Sequence, residues 1–196
     1  MGKYSDFERL PRDYYKTPLA ALKPLLPHLQ EVQTFAEPCA GDGQLIRLLE
    51  RVAGLDCTYA SDIEPQGVIH CHNAPYDNPY HIVPHHIVKA DALEAKISFA
   101  DADCIITNPP WDRKILHNLI THFAEKLHMP TWLLFDAGWI HTKQSIPFQP
   151  LLRKIVSVGR VKWIEGSKMT GKEDCAWHLF HPSIWESNPT KFYGRQ

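Results

Sequence analysis

The chain has 196 residues, of which 44% are hydrophobic and 22% charged, values typical of one soluble globular domain with a sizeable core. The net charge of −1 excludes a strongly basic or acidic protein, although residues 137–196 carry nine Lys or Arg against four Asp or Glu. No apolar run reaches membrane-spanning length, no apolar leader is visible, and five scattered cysteines favour free thiols, so we expect a cytoplasmic protein.

The first predicted element is a short helix that begins at Thr17-Pro18 and runs through Leu22. Threonine is a good N-cap and proline a good first helical residue. Pro24 and Pro27 should then divide the following segment into two pieces at most, because proline breaks a helix interior.

A strand over Val32 to Ala36, the turn Glu37-Pro38-Cys39-Ala40-Gly41-Asp42-Gly43, and a helix closed by Gly54 come next. One face of that helix is apolar, and its residues are Leu45, Ile46, Leu48, Leu49 and Val52. A strand, a glycine-rich turn and a helix form the ligand-binding arrangement of doubly wound folds. The acidic Glu37 argues against pyrophosphate and favours a cationic, amine-bearing ligand.

The second strand, 57–61, ends at Asp62-Ile63-Glu64, where Asp62 stands 19 residues after Gly43. An acidic residue at about this distance binds ribose hydroxyls in nucleoside-binding folds, with Glu64 as the alternative. Ile63 is placed to pack on a base. Residues 66–82 should form a short helix or turn and a long loop, whose histidines fit no standard zinc spacing, so no metal is expected.

The third strand, 87–90, ends at Asp91-Ala92, where Asp91 is also a possible N-cap. The fourth strand, 103–107, leads into Asn108-Pro109-Pro110-Trp111, a proline-stiffened turn that offers carbonyl oxygens, one amide and a large aromatic ring. Asp112 then caps a helix with one apolar face, formed by Ile115, Leu116, Leu119, Ile120, Phe123 and Leu127.

The remaining predicted elements complete an alternating α/β pattern. They are a buried strand over 132–135 closed by Asp136, a proline-interrupted helix within 141–154, a strand over 156–164, a hairpin-like loop over 165–174 and a last strand over 175–180.

Three of these segments resemble one family. Asn108-Pro109-Pro110-Trp111 resembles the Asn/Asp-Pro-Pro-aromatic motif of S-adenosylmethionine-dependent amino-methyltransferases, especially the small phage and bacterial N6-adenine DNA methyltransferases. Glu37-Pro38-x-x-Gly41-x-Gly43 resembles their first cofactor motif, and Tyr15-Lys16-Thr17-Pro18 resembles the segment before their first strand. The resemblance implies a Rossmann-like α/β fold with a seven-stranded, mostly parallel, doubly wound sheet and an antiparallel last strand.

The resemblance also implies roles for individual residues. Asn108 and the Pro109 carbonyl would accept the two N–H groups of adenine N6, Pro110 would stiffen the turn, and Trp111 would stack on the base. S-adenosylmethionine would be held by residues from the ends of four strands and from the N-terminal segment, namely Tyr15, Thr17, Glu37, Pro38, Gly41, Gly43, Asp62, Ile63, Asp91, Ala92 and Asn108.

The substrate and the assembly are left more open by the sequence. DNA is the expected partner, while RNA adenine, a protein glutamine, or a non-catalytic role as the partner subunit of a longer methyltransferase are the alternatives. We expect one catalytic domain over 1–196 without a separate target-recognition domain, in a monomer or weak dimer. The candidate phosphate contacts are Arg113, Lys114, Lys143, Lys168 and Lys172.

Overall fold

The structure is a computed structural model in which most of the chain is described. The described residues are 14–66, 69–71, 83–85, 87–98, 100–164, 166, 168–181 and 189–195, with only the backbone of 69–71 and 83–85.

A large, mostly parallel sheet organises the fold. Within the described ranges the strands are β1 (Thr34–Glu37), β2 (Asp56–Asp62), β3 (Ile69–Cys71), β4 (Val83–His85), β5 (Val88–Lys89), β6 (Cys104–Thr107), β7 (Thr131–Asp136), β8 (Leu152–Gly159), β9 (Cys175–Phe180) and β10 (Lys191–Tyr193). Eight of them form one sheet in the order β10-β8-β9-β7-β6-β1-β2-β5, and β9 alone runs antiparallel to its neighbours β7 and β8. β3 and β4 form a separate antiparallel pair.

Helices cover both faces of this sheet. The α-helices of the described chain are α1 (Leu19–Leu22), α2 (Gln44–Ala53) and α3 (Arg113–Ile120), which continues as a π-helical turn over Thr121–Lys126. The 3₁₀ segments cover Lys23–His28, Ala92–Glu94, Ala137–His141 and Lys143–Leu151.

The central strands are buried on both sides, which is why β6 and β7 are continuous apolar runs rather than alternating ones. One core packs α1 and α2 against the sheet around Trp177, and the other packs α3 against the opposite face around Trp139. The parallel strands therefore end along one edge of the sheet, and the loops that follow them are brought together there.

The predicted fold class is confirmed: the chain is a doubly wound α/β protein with a mostly parallel sheet and an antiparallel strand at 175–180. The sheet has eight strands rather than seven, because 191–193 adds a strand parallel to β8. The predicted strand over 156–164 is displaced. It begins at Leu152, directly after the proline-containing 3₁₀ segment, and ends at Gly159, whose φ of +84° turns the backbone away.

Several local predictions are wrong. Thr17 does not cap α1; Pro18 occupies the N-cap position, and no side chain caps this helix. Residues 69–71 form a strand rather than a helix or turn. Val52 and Ile115 lie on the solvent side of their helices, with exposed fractions of 42% and 43%.

Three further observations on the described residues concern membrane-spanning helices, disulfide bonds and metal ligands. None of the described helices is long and apolar enough to cross a bilayer. The cysteines whose side chains are described, at 39, 57, 104 and 175, are not in disulfide bonds. Among the described side chains there is no group of three or more His, Cys, Asp or Glu that could hold a metal ion, and the side chains of 67–86 lie outside this set.

Candidate active site

A cleft of about 760 Å³ lies at the carboxyl ends of β1, β2, β5 and β6. It is lined by most of the residues predicted as site residues, which are Tyr15, Thr17, Glu37, Pro38, Gly41, Asp62, Ile63, Asp91, Ala92, Asn108 and Pro110. Gly43, Pro109 and Trp111 are not part of its lining. The topology thus brings the ends of four strands and the N-terminal segment to one cavity.

The glycine turn forms one wall of the cleft. Gly41 has φ +55°, and a Cβ added there would lie 2.8 Å from Cε2 of Tyr14. Both the positive φ and the close Tyr14 ring therefore favour glycine at this position. Gly43, with φ +77°, is the N-cap residue of α2. The predicted need for glycine is therefore structural at both positions, while Gly41 also faces the cleft.

Asp62 holds this turn in place. Its Oδ2 accepts a hydrogen bond of 2.8 Å from the Gly41 amide, and its Oδ1 accepts one of 2.8 Å from the Glu64 amide. Both oxygens therefore already fix the loops around the cleft. Glu64, the alternative candidate for a ribose contact, also lines the cavity and has an exposed side chain.

Glu37 is the buried acid of the site. Its side chain is 2% exposed, and its Oε2 has no hydrogen-bond partner among the described residues. Burial raises the pKa of this carboxyl well above its ordinary value, and the negative charges of Asp62 and Asp42 raise it further. A cationic group in the cleft would supply the missing partner.

The neighbouring Asp42 is paired with two cationic side chains. Its Oδ2 lies 2.8 Å from Nζ of Lys16 and 3.5 Å from Nη2 of Arg47. Because Asp42 is paired and Asp62 is used by backbone amides, Glu37 is the carboxyl best suited to bind a cationic ligand.

Asp91 shows the alternative role considered for it. Its Oδ1 accepts a 2.9 Å bond from the Leu93 amide and caps the 3₁₀ segment that begins at Ala92. Since this uses one of two carboxylate oxygens and Asp91 lines the cleft, its predicted contact with S-adenosylmethionine stays a prediction.

Asn108 follows β6 directly and is tied to the N-terminal segment. Its Nδ2 donates to the Tyr15 carbonyl oxygen at 3.3 Å and to Thr17 Oγ1 at 3.2 Å. Thr17 is 4% exposed, so its hydroxyl is buried against Asn108 instead of capping a helix. The segment 14–17 therefore crosses the cleft from the glycine turn to Asn108.

Trp111 contacts Asn108 but is not part of the cleft lining. Its Nε1 donates to the Leu134 carbonyl oxygen at 3.1 Å and to Asn108 Oδ1 at 3.3 Å, a three-centre bond. Its ring meets Trp163 edge to face, with 5.7 Å between ring centroids. The indole is packed and hydrogen-bonded in this arrangement, and the predicted stacking of Trp111 on a base stays a prediction.

The sequence-based prediction missed Tyr14, Lys16 and Asp42. Tyr14 covers Gly41, and Lys16 pins the N-terminal segment to Asp42. A sequence signal existed for Asp42, which stands between the two glycines, but its pairing with a lysine 26 positions earlier depends on the fold.

The candidate phosphate contacts divide into two groups. The guanidinium of Arg113 forms an ion pair with Asp136, so this residue holds the start of α3 against the end of β7. The other four have exposed side chains at Lys114, Lys143, Lys168 and Lys172.

No protein-family model and no curated protein matches the chain. Solved structures do share its architecture. A dimethyladenosine transferase from Plasmodium falciparum matches with a TM-score of 0.51 at 14% identity, over 86% of this chain and 63% of that protein. The methyltransferase subunit of a type I restriction-modification system from Streptococcus thermophilus matches with a TM-score of 0.48 at 10% identity, over 84% of this chain and 44% of that subunit.

The chain therefore spans less than two thirds of either protein. At such low identities the likeness establishes the fold alone. That fold is the Rossmann-like α/β fold found in solved methyltransferases.

Proposed function

We propose that the protein is an S-adenosylmethionine-dependent methyltransferase that acts on the N6 amine of adenine in DNA. The observation that carries this proposal is that Glu37 and Gly41, from the turn after β1, and Asn108, from the turn after β6, line one cleft at the carboxyl ends of parallel strands. The fold likeness to a dimethyladenosine transferase is in keeping with it.

The cleft fits the proposed cofactor on the chemistry of its lining. Glu37 presents a buried carboxyl oxygen without a partner, which suits the ammonium group of the methionine end. Gly41 lines the same cleft, and the exposed Ile63 offers an apolar surface to an adenine ring. Bound S-adenosylmethionine would supply a methyl group on a positively charged sulfur.

The proposed work of the protein is to prepare a poor nucleophile. The lone pair of adenine N6 is delocalised into the ring, so the nitrogen must be drawn toward tetrahedral geometry. Asn108 Oδ1 and the Pro109 carbonyl oxygen would accept its two N–H groups and direct the lone pair at the methyl carbon. S-adenosylmethionine, held by Glu37 and the glycine turn, would supply the methyl group for the new N–C bond, and the methylated amine would release one proton to solvent. Positioning supplies most of the rate enhancement.

DNA is the proposed partner because residues 137–196 have a charge balance of +5 and because Lys114, Lys143 and Lys168 present exposed ammonium groups. RNA adenine carries the same N6 amine, and a protein glutamine carries an amide NH2 whose lone pair is likewise delocalised; the substrate assay distinguishes them. A non-catalytic partner subunit would bind cofactor and transfer no methyl group.

Substitution of Asn108 tests the proposed chemistry. Asn108→Ala should bind S-adenosylmethionine within about twofold of the wild type, because Glu37 and the glycine turn remain. It should lose at least about a hundredfold in kcat, the usual cost of removing a group that stabilises only the transition state. The matched control is Asn118→Ala, an exposed asparagine on α3 outside the cleft, which should keep full activity. Normal turnover by Asn108→Ala would contradict the assigned role.

A further inference from the structure

We propose that Thr17 and Trp111 are positioning residues that hold the Asn108 amide in one of its two orientations. Together with the Tyr15 carbonyl oxygen they form a hydrogen-bonding frame around this amide, and the frame requires asparagine rather than aspartate at position 108. The inference rests on the proposed function and deepens it, because the orientation decides whether an oxygen or a nitrogen faces the target amine. It assigns to Trp111 a role different from stacking on the base.

The hydrogen bonds around Asn108 distinguish its two side-chain atoms. The Tyr15 carbonyl oxygen can only accept, and it faces Nδ2 at 3.3 Å. The Trp111 indole N–H can only donate, and it faces Oδ1 at 3.3 Å. A rotation of the amide by 180° would set two acceptors against each other on one side and two donors on the other. The Thr17 hydroxyl completes the frame by accepting from Nδ2 at 3.2 Å.

Trp111 and Thr17 are each held in place by their surroundings. Trp111 also donates to Leu134 of β7 and packs edge to face against Trp163. Thr17 is buried, and the adjacent Lys16 is paired with Asp42 in the glycine turn. The amide orientation is therefore set before any substrate arrives.

The frame leaves the acceptor capacity that the reaction needs. A carbonyl oxygen of an amide has two lone pairs, and the indole N–H uses one of those on Oδ1. Nδ2 has two N–H groups, and both have acceptors in Tyr15 and Thr17. The remaining lone pair of Oδ1 is the group through which Asn108 would accept an N–H of the substrate.

Aspartate cannot satisfy the same frame when ionised. One carboxylate oxygen would face the Tyr15 carbonyl oxygen at the 3.3 Å now occupied by the N–H···O contact, with no hydrogen between them. The resemblance covers motifs with either asparagine or aspartate at this place, so the preference for asparagine is a property of this chain's own contacts.

The test uses the 196-residue chain and five variants of it: Thr17→Val, Thr17→Ser, Trp111→Phe, Asn108→Asp and Asn108→Ala. Two measurements are made. One records the ¹⁵N–¹H signals of the Asn108 side-chain amide, assigned by their loss in Asn108→Ala, and the other gives kcat and KM for methyl transfer to duplex DNA. Thr17→Val keeps the shape of the side chain without its hydroxyl, and Thr17→Ser keeps the hydroxyl.

Thr17→Val and Trp111→Phe should each shift the Asn108 amide signals and lower kcat by about three- to tenfold, the effect of one hydrogen bond, with KM for DNA little changed. Thr17→Ser should resemble the wild type, and Asn108→Asp should be as inactive as Asn108→Ala. If Trp111→Phe kept the wild-type amide signals and kcat, or if Asn108→Asp were active, the frame would be overturned.

The two proposals fail separately in this experiment. A wild-type protein that transfers no methyl group, but whose Asn108 amide signals move in Thr17→Val and not in Thr17→Ser, would refute the proposed function and support the frame. An active wild type with unchanged amide signals in Thr17→Val and Trp111→Phe would refute the frame alone.

Discussion

Glu37→Gln should have opposite effects on ligand binding and on stability. Glutamine keeps the size of the side chain and removes the negative charge that would pair with a cationic ligand. The structure offers one buried carboxyl oxygen without a partner, hence one charge-assisted hydrogen bond, worth about 1.5–3 kcal/mol. Affinity for S-adenosylmethionine should therefore fall roughly ten- to hundredfold.

The stability effect follows from the raised pKa of Glu37. Burial favours the neutral carboxyl in the folded chain, so the folded protein holds this proton more tightly than the unfolded chain does. The stabilising contribution is complete below the unfolded pKa of about 4.5 and is lost as the pH rises through the folded pKa. Glu37→Gln should equal the wild type near pH 4 and exceed it in melting temperature at higher pH.

Calorimetric titration tests the binding half of this prediction. S-adenosylhomocysteine should also bind weakly to Glu37→Gln, whereas 5′-methylthioadenosine, which lacks the ammonium group, should bind equally to the variant and the wild type. Glu50→Gln, on α2 and outside the cleft lining, is the matched control. If Glu37→Gln bound all three ligands as tightly as the wild type does, the pairing of Glu37 with an ammonium group would be refuted.

Two further predictions concern the turn and the core. Gly41→Ala should lose more stability than Gly54→Ala and should also weaken cofactor binding. Both positions have positive φ, but only at Gly41 would an added Cβ press against Tyr14. Melting curves and ligand titrations of the two variants measure both effects. Burial lowers the pKa of His178 to about 3, so the wild type should lose stability as pH falls below about 6.5. His178→Phe, which preserves the stacking on Phe135, should show a shallower loss in pH-dependent unfolding, and an equal slope would contradict the assignment.

The fold was predictable because its main signals are local. β6 and β7 are short apolar runs with polar residues directly after them, and α2 has an apolar face that ends at Gly54. These patterns identify buried parallel strands and a surface helix without knowledge of distant contacts. The extra strand β10 was not predictable in the same way, because two exposed residues and one partly exposed residue form a strand only beside β8.

The candidate site divides along the same line. The positions of Glu37, Gly41 and Asn108 follow from strand ends, which meet at one edge of a parallel sheet. The hydrogen-bond partners of their side chains cannot be predicted from strand ends. That Thr17 binds Asn108 across 91 positions, and that Trp111 turns its N–H toward the amide, are properties of the folded chain. The same threonine looked like a helix cap, since the dipeptide Thr-Pro carries that local preference.

Transfer of labelled methyl from S-adenosylmethionine to unmethylated duplex DNA, followed by mass analysis of the nucleosides, tests the central claim most directly. The proposed function predicts N6-methyladenine in the wild-type reaction and none with Asn108→Ala. Label in RNA or in protein glutamine but not in DNA would contradict the proposed substrate. Measurable cofactor binding without methyl transfer to any of the three would contradict catalysis and favour a partner subunit.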